Sequence, residues 1–247
     1  MKVVIIVQAR MTSTRLPGKV LLPVLGKPLL EYQLERLQRV TLADQVVVAT
    51  TTNGTDQPIV DLCDRLGVPS FRGSELDVLG RYAGAALAFG AEGVVRVTSD
   101  CPLIDPLVID QVIRLDREQP DDYDYVANVS ELVRTYPRGM DTEVFRAERL
   151  YQADREATLE PDREHVTPYI IRHAPEERRG LVRYDRDESR HRWTVDTPED
   201  FELIRRMLEV LIPVKPEFTL EDGLALLSRY PEWGEINAHV EQKQYGQ

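Results

Sequence analysis

The sequence predicts an α/β protein with a mostly parallel, Rossmann-like sheet, on three observations. Val3 to Val7, Gln45 to Thr50 and Gly93 to Thr98 are β-branched runs, apolar at nearly every position, as in strands buried on both faces. Longer segments of helical period separate them, which gives β-α-β-α order. Right-handed crossovers between such units place helices on both faces of the sheet. The 247 residues suffice for a large core, expected as one main domain over 1–212 with a helical extension over 213–247.

The first strand runs directly into QARMTSTRLPGK, which sets Arg10, Arg15 and Lys19 in a loop at the strand's carboxyl end. Three cations, hydroxyls and a Pro17-Gly18 turn offer charge-assisted donors and free backbone N–H groups, the chemistry a polyphosphate needs. Ligands of open α/β sheets bind outside the carboxyl ends of strands. The alternative is a solvated basic loop after an edge strand. Charge patterning bears on the choice: the chain has 42 acidic and 31 basic residues, net −11, yet five Lys/Arg precede the first carboxylate at Glu31. Positive charge is therefore local, which suits a small polyanion in a pocket and argues against nucleic acid as a partner.

Helices are predicted from Leu29 to Val40, Pro58 to Leu66, Leu76 to Phe89 and Pro106 to Glu118, two of them stopping near Gly67 and Gly90. The segment RGSELDVLGRY carries Asp77 and Arg81 at i and i+4. They make either a surface ion pair or a helix start facing a nucleotide. In TSDCPLIDP, Asp105-Pro106 reads as an N-cap and first helical residue, which leaves Asp100 without a capping duty. In VDTPED, Thr197 is an N-cap and Asp200 completes a capping box, which leaves Asp196 over at the end of a strand expected from Arg192 to Asp196. Asp100 and Asp196 are then either solvated turn residues or two carboxylates for Mg²⁺, which takes one or two carboxylates plus phosphate oxygens and water.

After Pro120 the pattern changes: YDYVAN and RTYPRGMDTEVF read as strands with a loop, an acceptor-side insertion over about 120–150. In REHVTPYIIRH the Thr167-Pro168 helix start leaves Arg163, Glu164 and His165 just before the helix. His165 is there either to meet a ligand or to donate a structural hydrogen bond. A helix follows from Pro198 to about Leu211, with shorter helical patterns at Thr219 to Leu227 and Pro231 to His239. Cys63 and Cys101 form no metal or disulfide pattern, which suits a reducing cytoplasm. The opening apolar run is short for a signal peptide and no run approaches a membrane span, so no membrane insertion is expected.

Taken in order, QARMTSTRLPGK, TSDCPLIDP, RTYPRGMDTEVF, REHVTPYIIRH and RWTVDTPEDF resemble the cytidylyltransferase family of the spore coat polysaccharide biosynthesis protein F type. That family is related to the 3-deoxy-manno-octulosonate and acylneuraminate cytidylyltransferases. The resemblance spans roughly residues 1 to 210 and implies the nucleotide-diphospho-sugar transferase fold with CTP and Mg²⁺ at the first strand-loop. It implies Arg10, Arg15 and Lys19 on the triphosphate, Gln8 and Ala9 facing cytosine, and Ser74 and Asp77 near base and ribose. Asp100 and Asp196 would hold Mg²⁺, and Arg138, Asp141, Glu143 and His165 would lie on the acceptor side. Arg10, Arg15, Lys19 and Asp100 are thus the expected catalytic set. One departure is Thr98-Ser99-Asp100 where the octulosonate enzymes usually carry Gln-Gly-Asp. The implied reaction is attack by a sugar or sugar-acid hydroxyl on the α-phosphorus of CTP, giving a CMP-sugar and pyrophosphate; a homodimer is the implied assembly. Two alternatives stand: a glycosyltransferase using a nucleotide-sugar donor, against which Ser99-Asp100-Cys101-Pro102 lacks the second aspartate of a DxD motif, and a non-catalytic nucleotide-binding protein.

Overall fold

In chain order the strands are β1 (Val3–Gln8), β2 (Pro23–Val24), β3 (Lys27–Pro28), β4 (Gln45–Thr51), β5 (Ser70–Gly73), β6 (Gly93–Thr98), β7 (Tyr125–Ala127), β8 (Glu143–Arg146) and β9 (Arg179–Leu181). The α-helices are α1 (Leu29–Leu37), α2 (Gln57–Leu66), α3 (Val78–Ala88), α4 (Pro106–Glu118), α5 (Ala147–Glu156), α6 (Glu160–His165), α7 (Pro168–His173), α8 (Pro198–Val214) and α9 (Leu220–Arg229). The computed structural model describes residues 1–118 and 122–241, so the start of the insertion expected at Pro120 lies outside them.

Among the described residues seven strands make one sheet in the order β5-β4-β1-β6-β8-β7-β9, and β2 pairs with β3 apart from it. β1 is central because it is apolar on both faces: Val3, Ile5 and Val7 pack with Leu34 of α1, Ile59 of α2 and Ile109 of α4. Val4 and Ile6 point the other way, toward Tyr82 of α3, Leu150 of α5 and Ile170 of α7. From β1 the chain steps outward to β4 and β5, then crosses back to β6 on the other side. The switch in direction opens a crevice at the carboxyl ends of β1 and β6, where Gln8 lies opposite Thr98.

The sheet is mostly parallel, as expected, except that β8 runs antiparallel to both β6 and β7. The expected strand from Arg192 to Asp196 is an extended segment outside the sheet, joined by a single bridge between Arg138 and Arg192. Its N–H groups go elsewhere: Trp193 donates to Arg138 O at 2.7 Å and Val195 to Asp100 O at 2.8 Å. Arg163 and His165 lie within α6 rather than in a loop before a helix. The last helical pattern is shorter than expected, a 3-10 turn over Pro231–Glu235.

Capping follows the sequence reading. Asp105 accepts from Leu107 N at 2.8 Å and also from Leu220 N at 2.5 Å, tying α4 to the start of α9. Thr197 and Asp200 form the capping box of α8, which continues past Leu211 to Val214, so the expected boundary at 212 falls inside it. Residues beyond that boundary share a third core cluster: Phe218, Leu224 and Leu227 pack with Trp193, Tyr136 and α8. Among the described residues no helix is long and apolar enough to cross a membrane.

Candidate active site

The loop after β1 is held in shape from beneath. Gly18, at φ 70°, takes a left-handed conformation that glycine adopts freely, and its N–H closes the loop on Met11 O at 2.9 Å. Asp56, wholly buried, accepts from Met11 N at 2.7 Å and from the Thr51 hydroxyl at 2.5 Å. Lys19 opens a short 3-10 turn and its side chain is directed inward.

Lys19 Nζ stands 2.7 Å from Asp196 Oδ1 and 3.3 Å from Asp100 Oδ2, so one ammonium holds both carboxylates left over by the capping argument. Arg15 reaches Asp196 Oδ2 at 2.9 Å, and Arg192 reaches the same oxygen at 2.8 Å. The main chain fixes the two aspartates relative to each other through the Val195 N–H on Asp100 O. Burial by itself raises the Asp100 carboxyl, but Lys19, then Thr98, whose hydroxyl donates at 2.5 Å, hold it at about 2. Asp100 is therefore ionised at neutral pH. Burial lowers the Lys19 ammonium, and the two aspartates more than reverse this, so it stays charged.

These groups line a cleft of about 570 Å³. Its floor is Gln8 and Ala9 after β1 with Thr98 to Asp100 after β6, and its basic wall is Arg10, Arg15 and Lys19. Glu75, Leu76 and Arg81 form a second wall, and Glu160, Glu164 and His165 a third. Burial lowers the His165 imidazole, with Arg96 adding to it against Glu164, so it is neutral at pH 7. Dimensions and charge suit a nucleotide: cations on one side, a sheet edge with peptide groups below, and open space toward His165.

Of the expected nucleotide residues, Gln8, Ala9, Arg10, Arg15 and Lys19 line the cleft, as do Asp100 and Asp196, the two expected on the metal. Ser74 and Asp77 do not; their turn faces it through Glu75 and Leu76. Asp77 caps α3 through Gly80 N at 2.9 Å and binds Arg163 of α6 at 2.5 Å. The i,i+4 pair with Arg81 is not made, because Arg81 turns back onto the carbonyl of Ser74. On the acceptor side, only His165 of the four expected residues lines the cleft. Glu143 is bound to Arg96, whose guanidinium also reaches Gln8 Oε1 at 3.5 Å, to Tyr125 Oη at 2.6 Å and to Thr167 Oγ1 at 2.7 Å. Asp141 is engaged by Arg134 at 2.6 and 2.7 Å, and Arg138 carries the backbone bridge to Arg192. Sequence reasoning missed Asp56, Glu75 and Arg192. Glu75 gathers Arg10, Thr12 and Asn53 at the mouth of the loop. For Arg192 a signal existed, since it precedes Asp196 by four residues and Asp200 by eight.

The sequence pattern of the family described as Cytidylyltransferase matches residues 4–226. The chain belongs to the cytidylyltransferase family. The match extends beyond the 210 residues of the resemblance and includes most of α9. This cytidylyltransferase is 33% identical over 245 residues to the spore coat polysaccharide biosynthesis protein SpsF of Bacillus subtilis, covering 93% of this chain and 95% of the relative. It is 38% identical over 120 residues to the 3-deoxy-manno-octulosonate cytidylyltransferase of Geobacter sulfurreducens, about half of each chain (49% and 47%). A solved cytidylyltransferase from Leptospira borgpetersenii superposes with a TM-score of 0.89 at 33% identity, over 99% of both chains. The family carries nucleotidyltransferase activity, and the mostly parallel sheet is the fold of its solved members.

Proposed function

We propose that this cytidylyltransferase transfers CMP from CTP to the hydroxyl of a sugar or sugar acid, with Mg²⁺, releasing pyrophosphate and supplying a CMP-sugar for surface polysaccharide or glycan synthesis in the cytoplasm. The observation that carries this reading is the convergence of Arg15 and Lys19 on the strand-end carboxylates Asp100 and Asp196 in one nucleotide-sized cleft. The class of acceptor is supported by the names of the Bacillus and Geobacter relatives, one a polysaccharide biosynthesis protein and the other an octulosonate enzyme.

The residues fit a hard divalent cation. Asp100 and Asp196 are oxygen donors that already share one cation, and a nucleotide would add phosphate oxygens. Among the described residues no group of three or more His, Cys, Asp or Glu is arranged for a metal, which agrees with a site completed by its substrate. Asp100 and Asp196 would hold Mg²⁺, which when bound supplies positive charge to the phosphates.

Gln8 and Ala9 would meet cytosine through their exposed peptide groups, and Arg10, Arg15 and Lys19 would take the triphosphate. The acceptor oxygen forms a bond to the α-phosphorus while the α–β bridging P–O bond breaks. Pyrophosphate leaves toward Arg15 and Lys19, whose positive charge offsets the charge it carries away. His165, neutral at pH 7, orients the acceptor hydroxyl and takes its proton.

The test pairs ligand-induced thermal shifts with a pyrophosphate-release assay over a panel of sugars and sugar acids. CTP with Mg²⁺ at about 100 times its dissociation constant should add roughly 2.7 kcal/mol of stability, and UTP, ATP and GTP much less. A shift with UDP-sugars and none with CTP would overturn the reading.

A further inference from the structure

We infer that Arg192, pinned by Asp200 and Asn237, is a positioning residue for Asp196, and that the C-terminal segment through Asn237 is thereby part of the active site. This rests on the reading of Asp196 as a metal-holding carboxylate.

Among the described residues three cations meet Asp196, and they differ in kind. Arg15 and Lys19 belong to the loop after β1 and line the cleft, so an incoming triphosphate competes for both. Arg192 is 8% exposed and does not line the cleft. It is held from behind: Nε donates to Asp200 Oδ1 at 2.9 Å, and the nitrogen that binds Asp196 Oδ2 also reaches Asp200 Oδ2 at 3.2 Å. A guanidinium is planar, so engaging Nε and one terminal nitrogen on Asp200 fixes where that nitrogen is presented to Asp196. Arg192 thereby holds Oδ2 from the interior, while from the cleft side Lys19 sits on Oδ1 and Arg15 on Oδ2. When the loop cations turn to a nucleotide, Arg192 remains to keep the carboxylate oriented.

Asp200 is wholly buried and carries more partners than a capping box needs. Besides Thr197 it accepts from Asp196 N at 3.0 Å, from Arg192, and from Asn237 Nδ2 at 2.8 Å. Asn237 is 3% exposed, and the same amide nitrogen donates to Arg192 O at 2.9 Å. One side chain of the C-terminal segment thus grips both ends of the Arg192–Asp200 pair. α9 adds a second support beside it, since a Cβ at Gly223 would come within 3.0 Å of the buried Trp193 ring. Neither Asn237 nor Arg192 is required to cap α8; both bear on the orientation of Asp196.

The test uses the full chain with Asn237→Ala and Arg192→Lys, reading Mn²⁺ affinity by electron paramagnetic resonance with saturating CTP, alongside melting temperature, kcat and the KM for CTP. Removing partners of a metal-holding side chain costs about 10–100-fold in affinity or activity. Both variants are expected to bind Mn²⁺ at least about 10-fold more weakly, with the KM for CTP near the wild-type value. A folded variant with a lower melting temperature and unchanged Mn²⁺ affinity and kcat would show a merely structural network and overturn the inference. If Arg192→Lys does not fold, Asn237→Ala decides, since it removes two hydrogen bonds and no charge. Wild-type protein that binds no Mn²⁺ with CTP would overturn the metal reading and this inference together; wild-type binding matched by both variants would overturn this inference alone.

Discussion

Lys19→Met removes the ammonium shared by Asp100 and Asp196, and the cost can be worked from Asp100. Burial raises that carboxyl; Lys19 is the largest influence against it, followed by the Thr98 hydroxyl, and the result is about 2 against an ordinary value of 3.8. The depression corresponds to about 2 kcal/mol of folding stability at neutral pH, at roughly 1.4 kcal/mol per unit. The sign follows from its direction: stability from a carboxyl depressed in the fold is fully present above 3.8 and is lost as the pH falls toward 2. Lys19 itself is raised and remains charged throughout this window, so it adds no pH dependence of its own. Lys19 is the main counterweight to burial, so Lys19→Met is expected to lose on the order of 2 kcal/mol at pH 7, or about 4–8 °C in melting temperature for a chain of this size. The deficit should shrink below pH 4. Circular dichroism melts of both proteins at pH 7, 5, 4 and 3 measure it. An unchanged melting temperature at pH 7, or a deficit as large at pH 3 as at pH 7, would refute the reasoning.

Asp100→Asn should lower CTP-dependent pyrophosphate release by several orders of magnitude and leave the far-ultraviolet spectrum native; near-normal turnover would remove Asp100 from the reaction. Burial lowers the His165 imidazole, so the acidic limb of kcat/KM should lie below pH 6.5 and disappear in His165→Gln; a limb that persists in the variant assigns it to another group. Gly139 sits at φ 106°, and a Cβ there would come within 2.8 Å of the Trp193 carbonyl, so Gly139→Ala should cost about 1–3 kcal/mol or more in urea unfolding. Asp105→Ala leaves the N–H groups of Leu107 and Leu220 without their acceptor and should cost about 1–3 kcal/mol by the same measurement.

Much of the site was legible because its signals are local. A β-branched run followed at once by three cations marks β1 and its loop, and cap arithmetic isolates Asp100 and Asp196 by giving Asp105, Thr197 and Asp200 other work. β5 and β9 escaped notice because Ser70–Gly73 and Arg179–Leu181 are short and carry no apolar run. The Arg192–Asp196 segment has the composition of a strand, yet its hydrogen bonds go to Arg138 and Asp100 rather than to a ladder. Asp77 read either as a surface pair with Arg81 or as part of a helix start facing a nucleotide, but Arg163, distant in sequence, takes its carboxylate.

The βα order, the basic loop at the end of β1 and the two carboxylates free of capping duty can be read along the chain, because periodicity and neighbours within a few residues set them. The antiparallel turn of β8, the meeting of Lys19 with Asp100 and Asp196, 81 and 177 residues away, and the grip of Asn237 on Asp200 and Arg192 arise only once the chain is folded. Those contacts depend on which strand ends the sheet order brings together and on which charges burial forces to pair, and neither leaves a repeating mark along the chain.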